Sequence, residues 1–309
     1  MSFVRRQAGD VRELGVEVRE VFIEDRQSIA GILNGRSAVR EAVKKWNPDI
    51  VHAQYGTATV LVGVLSGRRP LVVTFRGSDL NPDGVSSRIK ALLKVLMSQV
   101  GALLSTHIIT VSDRLTQRLW WRKSGVSVIP SGVNLDKFSP IDRSIAREYL
   151  GWATDAPTIF FNAARNPRNK RLDLARQTLH EVRKTLPDAE LFVLEGKTEP
   201  DDVPWIMNAC DVLLMLSDNE GSPNVVKEAL ACNLPVVSFD VGDAADRLAG
   251  VDNCAVVPRN IESVVSAVLS CLGNGRRSNG RDRADSFSSA SSARRLAAVY
   301  QSILRNRAS

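Results

Sequence analysis

Residues 217–237 constrain the fold of this chain more than any other segment, because a helix there lies between two short apolar runs. The first run, residues 211–216, has the composition of a buried parallel strand. After the helix, Pro235 blocks further helical structure and Val236 opens a second apolar run. Strand, helix and strand in this order predict a βαβ unit and therefore an α/β protein with a parallel sheet.

The helix in this segment has recognisable start and stop signals. Ser222 is predicted to cap the helix and Pro223 to occupy its first position, where a missing N–H costs nothing. Asn233 suits the left-handed turn that ends it. The first-turn N–H groups favour a phosphate. Glu220 precedes the helix and Glu228 lies about one and a half turns inside it. The two carboxylates can therefore contact different parts of one elongated ligand.

The pattern Glu220-x7-Glu228, within EGSPNVVKEALACNLPVV, resembles the signature of the family 4 retaining glycosyltransferases of GT-B fold. The resemblance implies two Rossmann-like domains that face a central cleft. It implies that Glu220 contacts hydroxyls of the donor sugar and that Glu228 binds the ribose of the nucleotide. The donor-binding positions between them are Gly221, Ser222, Pro223, Asn224 and Val225. Most glutamates are solvated surface residues, but the Gly, Pro and Asn at the turn positions favour the functional interpretation.

A basic loop follows the predicted strand at residues 158–162. Open α/β sheets bind ligands at the carboxyl ends of their strands, and Arg165 and Lys170 match the family's pair that grips the donor's diphosphate. Together with Glu220 they are the predicted catalytic residues. Negative charge grows on the leaving nucleoside diphosphate, and a guanidinium and an ammonium placed beforehand stabilise it. The resemblance therefore implies a transfer that needs neither a metal nor a cofactor.

On the acceptor side, the segment Val73-Thr-Phe-Arg76-Gly77-Ser78-Asp79 resembles the family's HGxD segment, with Arg76 where a His is common. Because Arg does not exchange a proton near neutral pH, Arg76 is expected to bind an anionic acceptor or the donor phosphate. Asp79 is expected to orient an acceptor hydroxyl, and Gly77 belongs to the same segment. His52 lies near the end of another predicted strand, and substrate contact or a purely structural role explains it equally well.

Strand candidates alternate with helices along the whole chain. The predicted domains are an acceptor-side domain over residues 1–139, a donor domain over 140–292, and a last helix in 293–309 that crosses back to the first domain. Relatives usually open with a strand ahead of the helix that here covers residues 3–14, so the first domain is expected to lack that strand. The predicted strands cover residues 15–23, 49–54, 71–76, 107–112, 126–129, 158–162, 190–194, 211–216, 235–240 and 254–257.

Positive charge is concentrated in the first half of the chain. Residues 1–140 contain 20 Lys and Arg against 12 Asp and Glu, and the remainder contains 21 against 22. No aromatic-studded basic segment indicates nucleic acid. The basic, apolar helix predicted at residues 86–105 fits an anionic membrane surface about as well as it fits simple packing on the sheet. With no signal peptide or spanning segment in the sequence, a cytoplasmic protein is expected, peripheral on the inner face of the membrane.

The predicted function is a retaining glycosyltransferase of hexosyltransferase type. It moves a sugar from a nucleoside diphosphate sugar to a glycan or lipid-linked acceptor in cell-surface polysaccharide synthesis, and residues 221–242 look closest to relatives in surface polysaccharide and teichuronic acid synthesis. Four unpaired cysteines and three histidines give no metal-site pattern. A glycoside hydrolase would also use two carboxylates but would leave Arg165 and Lys170 without a role. The more serious alternative is a noncatalytic nucleotide-sugar-binding subunit whose acceptor half has degenerated.

Overall fold

The computed structural model describes residues 2–26, 28–67, 70–81, 88–152, 156–163 and 166–308. It contains two compact units. One consists of Met1–Gly132 with Ser289–Ser309, and the other of Val133–Ser288. The sequence places the boundaries a few residues later, after residues 139 and 292. Each unit is built around its own parallel sheet.

The strands and helices alternate as the sequence predicts for an α/β protein. The strands are β1 (Val51–Gln54), β2 (Leu71–Phe75), β3 (His107–Thr110), β4 (Ser127–Val128), β5 (Thr158–Asn162), β6 (Glu190–Leu194), β7 (Val212–Met215), β8 (Val236–Phe239) and β9 (Ala255–Val257). The α-helices are α1 (Ser2–Arg12), α2 (Ile29–Trp46), α3 (Ala58–Leu65), α4 (Arg88–Leu104), α5 (Asp113–Gln117), α6 (Arg143–Leu150), α7 (Pro167–Lys170), α8 (Leu172–Val182), α9 (Val203–Ala209), α10 (Asn224–Ala231), α11 (Ala244–Leu248), α12 (Ile261–Asn274) and α13 (Ser289–Ala308). A 3₁₀ helix covers Gly280–Phe287.

The first unit has a four-stranded sheet in the order β1-β2-β3-β4, with every pair parallel. Successive side chains of a strand point to opposite faces, and β2 is buried on both. Val73 and Phe75 belong to one apolar cluster, whereas Val72 joins Val11 of α1 and Leu296 of α13 in another. Both faces of the sheet are therefore covered, as in other parallel sheets.

The predicted strand at residues 15–23 is wrong, because the structure has no strand there. Val16 and Val18 are half-buried against the core of the first unit, which explains the strand-like pattern of the sequence. Their backbone does not pair with β1, the edge strand of the sheet. A cavity of about 510 Å³ lies against both this segment and β1. Apolar alternation without a hydrogen-bonded neighbour does not make a strand.

The second unit has a five-stranded parallel sheet in the order β6-β5-β7-β8-β9. The chain enters this sheet at β5, places the edge strand β6 on one side, and then crosses to β7 on the other. The strand order therefore reverses between β5 and β7, and ligands bind at such switch points, beyond the carboxyl ends of the strands. β5, β7 and β8 carry the core of this unit.

None of the helices in the described residues is both long and apolar enough to cross a membrane.

Candidate donor-binding site

Two loops meet at the switch point of the second unit. One follows β5 and contains α7, whose amino end is capped by the Asn166 side chain accepting from the Asn169 backbone N–H. The other runs from the end of β7 to α10. Asn169 ties the two together, since its side chain donates to the Asn219 carbonyl oxygen (3.0 Å) and its own carbonyl oxygen accepts from the Asp218 N–H (2.8 Å). The short distance between β5 and β7 thus brings residues from distant parts of the sequence into one site.

Lys170 and Glu220, both predicted as catalytic, are in direct contact in this site. The Lys170 Nζ lies 2.5 Å from Glu220 Oε1, and the two side chains are only 16% and 18% exposed. Such charge-assisted hydrogen bonds are short and among the stronger ones in proteins. The contact holds an ammonium and a carboxylate side by side at the carboxyl end of the sheet. Arg165, the third predicted catalytic residue, lies outside the described residues.

The amino end of α10 differs from the sequence prediction. The capping residue is Pro223, and the predicted cap at Ser222 is wrong, because the Ser222 hydroxyl makes no capping hydrogen bond to the helix backbone. That hydroxyl instead donates to Asp243 Oδ2 (2.9 Å) and accepts from Lys227 Nζ (3.1 Å). The N-cap residue Pro223 therefore provides no side-chain cap to the first turn of α10, and neither does the Ser222 hydroxyl. Helix ends without a protein partner bind anions through these N–H groups.

Three buried side-chain oxygens at this edge have no hydrogen-bond partner among the described residues, and one of them is Oδ1 of Asp243, in the loop after β8. The other two are Oδ1 of Asn162, the last residue of β5, and Oδ1 of Asn224, the first residue of α10. Buried polar atoms are rarely left unpaired, and a ligand is one common explanation. Glu228 lies half-buried on α10. The predicted donor-binding residues from Gly221 to Glu228 thus share one loop and one helix of the second unit.

Three of the acceptor-side residues predicted in the first unit, Arg76, Gly77 and Asp79, follow the carboxyl end of β2, whereas His52 is the second residue of β1. The Asp79 carboxylate is buried and accepts from the backbone N–H groups of Gly56, Arg76 and Gly77 at 2.8–3.1 Å. Burial raises the pKa of Asp79, and the three backbone donors oppose that rise. Gly77 has a φ of +133°, a region that favours glycine. Asp79 therefore holds the turn after β2.

Arg76 is anchored within the first unit. Its guanidinium donates to Gln7 (2.9 Å), Gln54 (2.7 Å) and Ser131 (2.7 Å), and it lies over the ring of Phe3. Burial lowers the pKa of Arg76 to about 10, so the side chain stays charged near neutral pH. These contacts give Arg76 a structural role, and the predicted acceptor contact stays a prediction.

His52 is also held by other side chains of the first unit. Its Nδ1 lies 2.5 Å from the Tyr300 hydroxyl and its Nε2 lies 2.7 Å from Thr74 Oγ1. Burial, with Arg76 and His107 nearby, lowers the pKa of His52 to about 3. A neutral, doubly hydrogen-bonded imidazole matches the structural role that the sequence left open.

The sequence interpretation missed three polar side chains at the edge of the second sheet: Asn169, Asp243 and Arg259. Arg259 donates to the side chain and the carbonyl oxygen of Asp218 (both 3.2 Å) and lies over the ring of Phe239. Asp243 and Arg259 each follow a strand within a few residues, and Asn169 lies in the loop after β5. A search for polar residues just after each predicted strand would have found all three.

Two family models match the chain. "Glycosyltransferase Family 4" matches residues 2–137, and "Glycosyl transferases group 1" matches residues 173–274. The matches fall on the two units separately. Together with the fold and the site, they show that the chain is similar to proteins of the glycosyltransferase class.

The curated relatives agree with this class. TuaC of Bacillus subtilis, assigned to teichuronic acid biosynthesis as a glycosyltransferase, is 27% identical over 255 residues, which is 75% of this chain and 64% of TuaC. The chain spans less than two thirds of the length of the first curated relatives that it matches.

Solved structures confirm the predicted fold class of two Rossmann-like domains. A sucrose-phosphate synthase from Thermosynechococcus elongatus superposes with a TM-score of 0.80 at 16% identity, over 98% of this chain and 93% of that one. Anabaena HepE in complex with UDP-glucose gives a TM-score of 0.67 at 19% identity, over 92% of this chain and 85% of that one. At these identities the similarity shows the fold alone.

Proposed function

We propose that this chain transfers a sugar from a nucleoside diphosphate sugar to a glycan or lipid-linked acceptor, with retention at the anomeric carbon. In this proposal the second unit holds the donor and the first unit contributes the acceptor side. The observation that carries it is the Lys170–Glu220 pair just before the amino end of α10, where the N-cap residue Pro223 provides no side-chain cap. A cation, a carboxylate and free helix N–H groups are the groups that a sugar diphosphate needs from a protein.

Each group has a defined task in the transfer. The N–H groups of the first turn of α10 bind the diphosphate, and the Lys170 ammonium stabilises the charge that grows on it as the glycosidic bond breaks. Glu220 accepts hydrogen bonds from the sugar hydroxyls and holds Lys170 in place. Glu228 binds the ribose hydroxyls. The departing phosphate helps to deprotonate the acceptor hydroxyl on the same face of the sugar, so no protein nucleophile is assigned.

Arg165 joins Lys170 as a second cation for the diphosphate in this proposal. Two positive charges are expected to replace a divalent metal, so transfer should proceed in the presence of a chelator such as EDTA. Loss of transfer in EDTA, with recovery on adding Mg²⁺ or Mn²⁺, would contradict the metal-free mechanism.

A role in cell-surface polysaccharide synthesis is supported by the similarity to TuaC. A UDP-sugar is a reasonable first donor to test, because HepE was solved with UDP-glucose.

The membrane surface is the proposed location of the acceptor, and α4 supports it. Ile89, Leu92, Leu93 and Leu96 are all exposed on this one helix, with Ile89 73% exposed. Lys90 is exposed on the same helix. A helix with exposed leucines and lysines binds an anionic lipid surface through apolar burial and charge attraction.

The donor site is tested by thermal shift of the purified chain with UDP, GDP and ADP and their sugar conjugates. A ligand present at 100 times its dissociation constant stabilises the folded state by about 2.7 kcal/mol. We expect one nucleotide class to raise the melting temperature, and Glu228→Ala to abolish the rise. The matched control is Glu262→Ala, which removes an exposed glutamate from the first turn of another helix of the same unit and should leave the rise intact.

Turnover distinguishes the enzyme from the noncatalytic alternative. With the nucleotide class identified, release of nucleoside diphosphate and formation of a glycosylated product are measured over a panel of lipid-linked and soluble glycan acceptors. Nucleotide binding without any product would favour the binding subunit. Release of free sugar from a glycan without a nucleotide donor would favour a hydrolase.

A further inference from the structure

Ser222 does not do what its sequence position predicts. A Ser before a Pro at the start of a helix normally caps that helix, yet the Ser222 hydroxyl contacts the side chains of Asp243 and Lys227 instead. Conflicts between local sequence preference and the fold are concentrated at functional sites. The side chains that contact Ser222 explain why it does not cap α10.

Two charged side chains occupy this one hydroxyl. A serine hydroxyl has a single proton to donate, and it donates that proton to Asp243 Oδ2 at 2.9 Å. The Lys227 Nζ donates to the serine oxygen at 3.1 Å. Lys227 is fully buried and Asp243 is only 5% exposed. Hydrogen bonds to charged groups are stronger than a neutral cap, so they outcompete the helix backbone for the hydroxyl.

The backbone around these side chains fixes the arrangement. Gly242 has a φ of +57°, and a Cβ added there would lie 2.9 Å from the carbonyl oxygen of Gly221 and 3.2 Å from Pro223 Cδ. The loop after β8 therefore lies directly against the donor loop, and Arg247 also contacts Asp243 Oδ2, at 3.0 Å. Ser222 cannot cap the helix without breaking these contacts.

We propose that Asp243 and Lys227 are positioning residues that hold the Ser222 hydroxyl away from the backbone of α10 and so keep the first-turn N–H groups available for the donor's diphosphate. The unpaired Oδ1 of Asn224 at the same helix end is a second indication, among the described residues, that a ligand completes this site. The inference rests on the proposed function, since it assigns these residues to the donor site described there. It adds a competition between a protein hydroxyl and the ligand for the same N–H groups.

A double-mutant cycle tests this competition. Binding of UDP, with GDP and ADP in parallel, is measured by isothermal titration calorimetry on the full chain and on Asp243→Ala, Ser222→Ala and the double variant. With Ser222 present, Asp243→Ala should raise the dissociation constant by about tenfold, because the released hydroxyl caps α10. In the Ser222→Ala background there is no hydroxyl to release, so the same change should raise it by less than about twofold.

Two further variants separate positioning from general stability. Arg247→Ala removes the ion pair with Asp243 but leaves the Ser222–Asp243 bond, and it should leave UDP affinity within about twofold of the wild type. Lys227→Met removes the other partner of the hydroxyl and provides a second cycle with Ser222→Ala if Asp243→Ala does not fold. Folding of each variant is checked by its melting temperature.

The outcomes are distinct. An equal loss of affinity with and without the Ser222 hydroxyl, or no loss in either background, overturns the positioning role while leaving the donor site in place. Failure of the wild-type chain to bind any of the three nucleotides overturns the proposed function itself, and the inference with it.

Discussion

At the scale of single residues, burial decides the charge state of His52. Both ring nitrogens are used by neutral hydroxyls, those of Tyr300 and Thr74. Burial first, and then the positive charge of Arg76, lower its pKa from 6.5 to about 3. In the folded chain the imidazole is therefore neutral throughout the pH range in which His52 of the unfolded chain becomes protonated.

This predicts a pH dependence of stability. Between pH 6.5 and about 3 the unfolded chain binds a proton at His52 that the folded chain does not, so stability falls as the pH falls through that window. The raised pKa of Asp79 acts in the opposite sense, because the folded chain keeps that proton to higher pH. Comparison with His52→Gln removes the Asp79 contribution, since both chains retain it.

The measurement is urea denaturation of the wild type and His52→Gln between pH 7 and 5. Over this range the wild type should lose about 2 kcal/mol more stability than the variant, from a limiting slope of about 1.4 kcal/mol per pH unit. If the free energy of unfolding changed with pH in parallel for the two chains, His52 would take up its proton in the folded chain as readily as in the unfolded chain.

Gly242 carries a second prediction at this scale. Gly242→Ala adds both the cost of a positive φ, about 1–2 kcal/mol, and a clash with the Gly221 carbonyl oxygen. The matched control is Gly151→Ala, where φ is +68° and a Cβ would meet nothing within 4 Å. Urea melts should show a larger loss for Gly242→Ala, and UDP binding should weaken only there. Equal losses of stability and unchanged UDP binding would mean that the donor loop adjusts freely.

At the scale of elements, α4 exposes several large apolar side chains, which is unusual for a helix surrounded only by water. Ala91 and Ala102 face the interior of the unit, whereas Leu92 and Leu93 are 62% and 52% exposed. The exposed side chain of Trp120 lies near the later part of the helix, because its backbone N–H donates to Gln99 (3.0 Å). Trp is enriched where proteins meet the membrane–water interface.

The prediction is that α4 binds anionic vesicles. The wild type should cosediment with vesicles that contain phosphatidylglycerol but not with pure phosphatidylcholine, and Leu92→Glu with Leu93→Glu should abolish binding. Leu33→Glu is the control, because Leu33 is 52% exposed on α2 of the same unit. If Leu33→Glu abolished vesicle binding as fully as the double variant, the loss could not be assigned to α4. If the double variant still bound the vesicles, the contact would lie elsewhere on the protein.

At the scale of the whole molecule, each unit contains its own sheet and core, and the candidate donor groups all lie in the second. Nucleotide should therefore slow amide hydrogen exchange in peptides covering residues 217–228 and 166–170, because binding suppresses local opening there. Peptides covering residues 51–79 should change little. Protection centred on residues 51–79 would assign the nucleotide to the first unit.

The order of the elements follows from local pattern alone. Nine of the ten predicted strands match β1 to β9, and Asn233 has the predicted left-handed conformation, with a φ of +54°. Apolar runs, prolines and turn residues act over a few positions, so they can be recognised along the chain. The spacing of Glu220 and Glu228 likewise predicts the similarity to glycosyltransferases that the family models find.

Contacts between distant segments were decided only by the tertiary structure. Residues 15–23 have the pattern of a strand but no neighbour to pair with, and Ser222 has the pattern of a cap but is held by Asp243. Lys170 and Glu220 touch because β5 and β7 are adjacent in the sheet. Pairing and charge competition depend on which segments become neighbours in space, and local sequence preference contains no information about that.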